Sequence, residues 1–124
     1  MLAHAMMLIY PTLMVVIRDE LNLGFDALGF IALASSFMFG LGAIPAGYFE
    51  NRVGGRKLLL LFQFSCIPAG IMVALSNSVA SFTAGLVVVG LAASVYHPAG
   101  LTLLSRRVRP MGRAMAIHGI LGSI

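Results

Sequence analysis

Charge is what this chain has least of. Asp, Glu, Lys and Arg make up 10% of its 124 residues, 60% are hydrophobic and the mean hydropathy is +1.00, whereas an ordinary soluble domain is about 25% charged. The scarcity is also local: residues 27–49 and 58–105 contain none of these four residue types. A soluble fold of this length could not hide so much apolar surface from water, which excludes the soluble globular class. No acid lies within an apolar run, so proton coupling through a membrane-embedded carboxylate must use histidine instead or draw on a part of the protein outside this sequence. Cys66 is the single cysteine; it rules out an intrachain disulfide and reads as a small hydrophobe within an apolar run. No cationic region precedes the first apolar run and no small-residue cleavage pattern closes it, so no cleavable signal peptide is expected. The net charge of +4 raises nucleic acid as a partner. The cations gather instead in two clusters at the ends of apolar runs, as they do where charge orients a membrane protein, and no nucleic-acid partner is expected.

What is present is a succession of apolar segments, each close to the roughly 20 residues that cross a hydrocarbon core as a helix. Spans are predicted over about 2–17, 27–49, 58–75 and 79–104, with the start of a fifth from 114. The first, Met1 to Ile17, reaches only about 25 Å against a core of about 30 Å and begins without a polar flank, so a longer native N-terminus is expected. The fifth, Ala114 to Ile124, reaches about 16 Å and would stop in mid-membrane with unpaired carbonyls, so the chain reads as part of a longer protein. Arg18 to Asp26 is the predicted first loop, and Ser76-Asn77-Ser78 a polar turn between the third and fourth spans. Helix kinks are expected at Pro11 and at Pro98, which has no N–H for the carbonyl of Ser94. Ala32, Ser36 and Gly40 repeat every fourth residue, with Ala43 and Gly47 on a neighbouring stripe, a spacing that predicts close helix packing.

Between the second and third spans lies a cationic stretch, Gly47-Tyr48-Phe49-Glu50-Asn51-Arg52-Val53-Gly54-Gly55-Arg56-Lys57. Its spacing, carried by Gly47, Asn51, Arg52, Gly54, Arg56 and Lys57, resembles the loop signature of the major facilitator superfamily of secondary transporters. Asn51 departs from it, standing where the family usually has Asp. The resemblance implies an all-α membrane protein: a transmembrane helix bundle comprising the first four to five helices of a twelve-helix major facilitator fold. Residues 1–124 would then be a partial N-terminal six-helix half, moving a small-molecule substrate by alternating access, with a C-terminal half of the same chain and the lipid bilayer as partners. In that family the loop acts as a conformational latch between halves, with Glu50 an available substitute for the missing Asp. The bland alternative is that these cations only fix topology.

The runs Tyr96-His97-Pro98-Ala99-Gly100 and Gly112-Arg113-Ala114-Met115-Ala116-Ile117-His118-Gly119 resemble the fosmidomycin-resistance branch of the superfamily, which implies efflux of a drug-like or small organic molecule. Many proton-driven exporters of the superfamily carry an Arg three or four residues before a glycine of the fourth span. Leu86 and Val87 occupy those places before Gly90.

The two positive clusters follow the second and fourth spans, so a multi-pass protein of the cytoplasmic membrane with its N-terminus inside is expected. Polar groups at membrane depth are functional candidates because they are costly to hold there. His4, Tyr96, His97 and His118 are singled out as substrate or proton candidates, since imidazole titrates near a pH of about 6.5 and the three histidines fall in the cytoplasmic third of their spans. The plainer reading of His97 is that it only hydrogen-bonds a neighbouring helix. The competing function is a membrane subunit holding haem or quinone through His4, His97 or His118, which needs two histidines at equal depth on facing helices. The transporter reading needs no metal, no cofactor and no catalytic residue.

Overall fold

The computed structural model describes residues 2–123, with side chains from 3 to 120. Met1 and Ile124, the outer ends of the expected first and fifth segments, lie outside the described residues. Six helices follow one another: α1 Leu2–Leu21, α2 Phe25–Val53, α3 Gly55–Ala74, α4 Val79–Ser94, α5 Tyr96–Arg107 and α6 Met111–Ser123. No strand occurs among the described residues, and the protein is an all-α helical bundle.

Helices run past the apolar segments that announced them. α1 continues through Arg18-Asp19-Glu20, and α2 continues through Glu50-Asn51-Arg52. The expected first loop shrinks to residues 22–24, and the expected cationic turn to Gly54 alone. Apolarity marks depth in lipid, whereas Arg, Lys and Glu are good helix formers. A helix stops where backbone chemistry stops it: Asn22 has φ 50° and Gly54 φ 87°, the left-handed region that glycine and asparagine enter most easily.

Three stretches among the described residues are long and apolar enough to cross a membrane by length and composition: Phe25–Val53, Gly55–Ala74 and Val79–Arg107. α1, expected to be a fourth, is not among them; its last turn is Arg18-Asp19-Glu20-Leu21. The stretch from Val79 breaks at Val95, which separates α4 from α5 three residues before Pro98. The Ser94 hydroxyl there donates to the Leu91 carbonyl at 2.6 Å. α1 passes Pro11 without interruption. α4 starts from a capping box: the Ser81 N–H donates to the Ser78 hydroxyl at 3.2 Å, and the Ser78 N–H donates to the Ser81 hydroxyl at 3.1 Å.

α4 is the central rod, packed most extensively on α2 and α3. Glycines set its distances. A Cβ on Gly85 would come within 2.9 Å of Val73 on α3, and one on Gly90 would collide with the Ser35 carbonyl oxygen of α2. A Cβ on Gly42 of α2 would collide with the Ser94 side chain. The seam of α2 therefore runs through Ser35 and Gly42; of the expected Ala32, Ser36 and Gly40 stripe, Ala32 packs on the core while Ser36 and Gly40 are exposed. A fourth-residue repeat fixes a helical stripe but not which neighbour it meets. One core cluster, Tyr10, Ile17, Leu28, Ile31, Phe82 and Leu86, ties α1, α2 and α4 together. Two buried hydrogen bonds cross it, from the Tyr10 hydroxyl to the Leu28 carbonyl at 2.6 Å and from the Ser35 hydroxyl to the Leu86 carbonyl at 2.9 Å. Outward faces are apolar: Phe30, Phe37, Ile44 and Phe64 are each more than 60% exposed. In water such a surface would aggregate; against hydrocarbon it is the matching surface, and it marks an integral multi-pass membrane protein.

Candidate functional site

Two groups of side chains stand out, one around Tyr96 and one at the Gly54 turn. Tyr96 and His97 open α5, just past the Val95 break, so the end of α4 delivers them between the other helices. His4, on the first turn of α1, has its ring 5.4 Å from that of His97 and 6.2 Å from that of Tyr96. His118 of α6 stacks on Tyr96 at 6.0 Å. Three histidines from three helices thus converge on one tyrosine ring. Phe39 of α2 and Phe62 of α3 close the group, 5.8 Å from His97 and 5.5 Å from Tyr96 respectively. Sequence reading missed both phenylalanines, since one apolar aromatic among many carries no signal of its own.

His4, Met7, Ala3, Phe39 and His97 line a cavity of about 220 Å³. The Nδ1 atom of His4 is buried beside it without a hydrogen-bond partner. The space is smaller than the roughly 300–1,000 Å³ of a pocket for a drug-sized ligand. It does not admit a macrocycle between the His4 and His97 rings, which already touch edge to face. Among the described residues no group of three or more His, Cys, Asp and Glu is placed to hold a metal ion. The geometry is that of a cluster of rings. What it offers is a ring-lined site with imidazole nitrogens able to donate to, accept from or pass a proton to a small polar group.

At the other site, Gly47 lies within α2, half-buried, with open space where a Cβ would be. Asn51, Arg52, Arg56 and Lys57 are all exposed, on either side of Gly54. The Arg52 guanidinium sits over the Tyr48 ring at 4.6 Å, a cation–π contact. Glu50, one turn from the helix end, points inward and is 3% exposed. Its carboxylate meets the Arg106 guanidinium of α5 at 3.8 Å, while its Oε1 has no partner. Gly55 lets α3 start directly on α5, since a Cβ there would lie 2.9 Å from both the Ala99 carbonyl oxygen and Leu103 Cγ. The ends of α2 and α5 and the start of α3 therefore meet, which puts both cationic clusters at one end of the bundle. Arg106 as a partner for Glu50 was not anticipated. A signal existed: Glu50 is the only acid after Asp26, against seven cations.

No curated protein and no solved structure matches this chain. The family model of the Major Facilitator Superfamily matches residues 1–124, and the chain therefore belongs to that superfamily of multi-pass membrane transporters.

Proposed function

We propose that the protein is a secondary active transporter that exports a drug-like or small organic molecule by alternating access, and that His4, Tyr96, His97 and His118 handle the solute's polar group or a coupled proton. The observation that carries this reading is the convergence of three histidines from α1, α5 and α6 on the Tyr96 ring beside a small cavity. Polar rings held together at membrane depth are costly unless used, and discontinuous helices such as α4–α5 are where transporters of several folds bind their cargo. The Tyr96–Gly100 and Gly112–Gly119 runs support the exporter branch. Helices α1 to α6, with α4 and α5 as one interrupted span, form part of an N-terminal half, completed by further helices, with the N-terminus and both cationic clusters in the cytoplasm, as the distribution of Lys and Arg directs.

In this reading Gly47, Asn51, Arg52, Gly54, Arg56 and Lys57 form a latch, and Glu50 supplies the negative charge that Asn51 lacks. The experiment is solute flux in vesicles containing the full-length protein. His97→Ala is expected to lower flux at least tenfold and Arg52→Ala to lower it with insertion unchanged. Flux unaltered in His97→Ala removes the histidine site; flux unaltered in Arg52→Ala removes the latch.

A further inference from the structure

Next to the cationic turn is an apolar groove of about 430 Å³ that neither functional group uses. Its walls are Phe49 and Val53 from the end of α2, Leu58 and Leu61 from the start of α3, Leu91 from α4 and Val95 at the break between α4 and α5. The one polar side chain bordering it, Ser94, has its hydroxyl bonded to the Leu91 carbonyl. We propose that this groove holds one acyl chain of an anionic phospholipid and that Arg52, Arg56 and Lys57 bind the headgroup phosphate.

Register places Arg52 and Lys57 at the groove's mouth, and Arg56 precedes Lys57 by one residue. Residues three or four apart share a helix face. Arg52 follows Phe49 by three and Lys57 precedes Leu61 by four, each one turn nearer the Gly54 connection than the wall residue below it. The three cations are exposed, and neither of the two ion pairs among the described residues, Arg18–Asp19 and Arg106–Glu50, uses them. The one nearby acid, Glu50, is buried and turned to Arg106. Gly54 caps α3 without a side chain, so the first N–H groups of that helix have no side-chain cap. An apolar groove beside three cations that no ion pair among the described residues uses matches a lipid with a hydrocarbon tail and a negative head. A neutral lipid or a free phosphate satisfies only half of it.

Residues 1–124 contain no tryptophan; in the full-length protein any tryptophan elsewhere is first replaced by phenylalanine, so that a single introduced indole reports without background. Leu61→Trp places it in the groove, and Phe30→Trp, on an exposed face of α2, serves as the reference. Each variant is reconstituted in mixed phosphatidylglycerol and phosphatidylcholine vesicles in which one lipid is brominated on its upper acyl chain. Brominated phosphatidylglycerol is expected to quench the groove tryptophan in strong preference to brominated phosphatidylcholine, while the reference shows no preference. Each of Arg52→Ala, Arg56→Ala and Lys57→Ala should cut the preference by roughly fivefold, the equivalent of about 1 kcal/mol per cation near an anionic headgroup. Circular dichroism verifies that helix content is kept. Equal quenching by both lipids at Leu61→Trp overturns the proposal in favour of ordinary lipid contact. No quenching by either overturns it in favour of a groove filled by protein. Loss of the preference on adding glycerol phosphate overturns it in favour of a phosphate site without the chain.

Discussion

The Glu50 carboxylate and the Arg106 guanidinium lie 3.8 Å apart, joining the last turn of α2 to the last turn of α5. The two sides of this pair are unequal: the Glu50 side chain is 4% exposed and that of Arg106 61%. A buried charge that loses its partner is the costly outcome, while a neutral residue in its place is tolerated. Solvent at Arg106 screens the attraction, so Arg106→Ala is expected to destabilise by about 1–2 kcal/mol, below the roughly 3–5 kcal/mol of a fully buried pair. Glu50→Gln should cost less, and adding it to Arg106→Ala should recover part of the loss. Thermal unfolding in detergent measures all three; Arg106→Ala unfolding at the wild-type temperature would show that the pair holds nothing.

Gly90 and Gly40 test how the central helix is seated. A Cβ on Gly90 would strike the Ser35 carbonyl, a backbone atom of α2 that cannot swing aside, whereas one on Gly40 meets nothing within 4 Å. Gly90→Ala should therefore destabilise by about 1–3 kcal/mol, the range for overpacking a tight contact. Gly40→Ala should be neutral or stabilising by up to about 1 kcal/mol, because alanine loses less backbone entropy within a helix. Denaturant titration followed by circular dichroism reads both, and equal effects would contradict the seam through Ser35.

Tyr10 separates ring burial from hydrogen bonding. Its hydroxyl donates to the Leu28 carbonyl at 2.6 Å, and its ring packs 6.1 Å from that of Phe82. Tyr10→Phe keeps the ring and should cost about 0.5–1.5 kcal/mol. Tyr10→Ala opens a cavity between α1, α2 and α4 and should cost about 3–5 kcal/mol, as large-to-small core changes do. Unfolding temperatures that fall equally for both would mean that the hydroxyl, not the packing, ties α1 to the bundle.

Much of this arrangement is legible from residues. The uncharged runs at 27–49 and 58–105 give helices in lipid, and Ser76-Asn77-Ser78 and Gly54 give places to turn, because charge gaps and turn chemistry are local properties. Helix ends are less legible: the chain stays helical through Glu20 and Arg52, since hydropathy reports the solvent and not the backbone. Glu50 shows the limit of reading in one dimension. Its inward aim depends on helical register over the whole of α2, and its partner comes from the end of α5. His4, His97 and His118 share a depth by their count along the spans, which raises a cluster, but whether they face one another or three directions depends on register and on the break at Val95 that positions α5.

Tyr96 is the last test, because its ring touches His4, His97, His118 and Phe62 at once. If the ring is the scaffold that holds three imidazoles in place, its shape matters more than its hydroxyl. Tyr96→Phe should then leave stability within about 0.5 kcal/mol, the range for changes away from packed or bonded groups. Tyr96→Leu removes the stacking surface, worth about 0.5–1.5 kcal/mol for an aromatic pair beyond burial, and frees the histidines to take other rotamers. Flux in vesicles should fall at least tenfold in Tyr96→Leu and far less in Tyr96→Phe. The reverse order, with the phenylalanine variant inactive and normally folded, would assign the hydroxyl itself to the solute or proton and make the ring secondary.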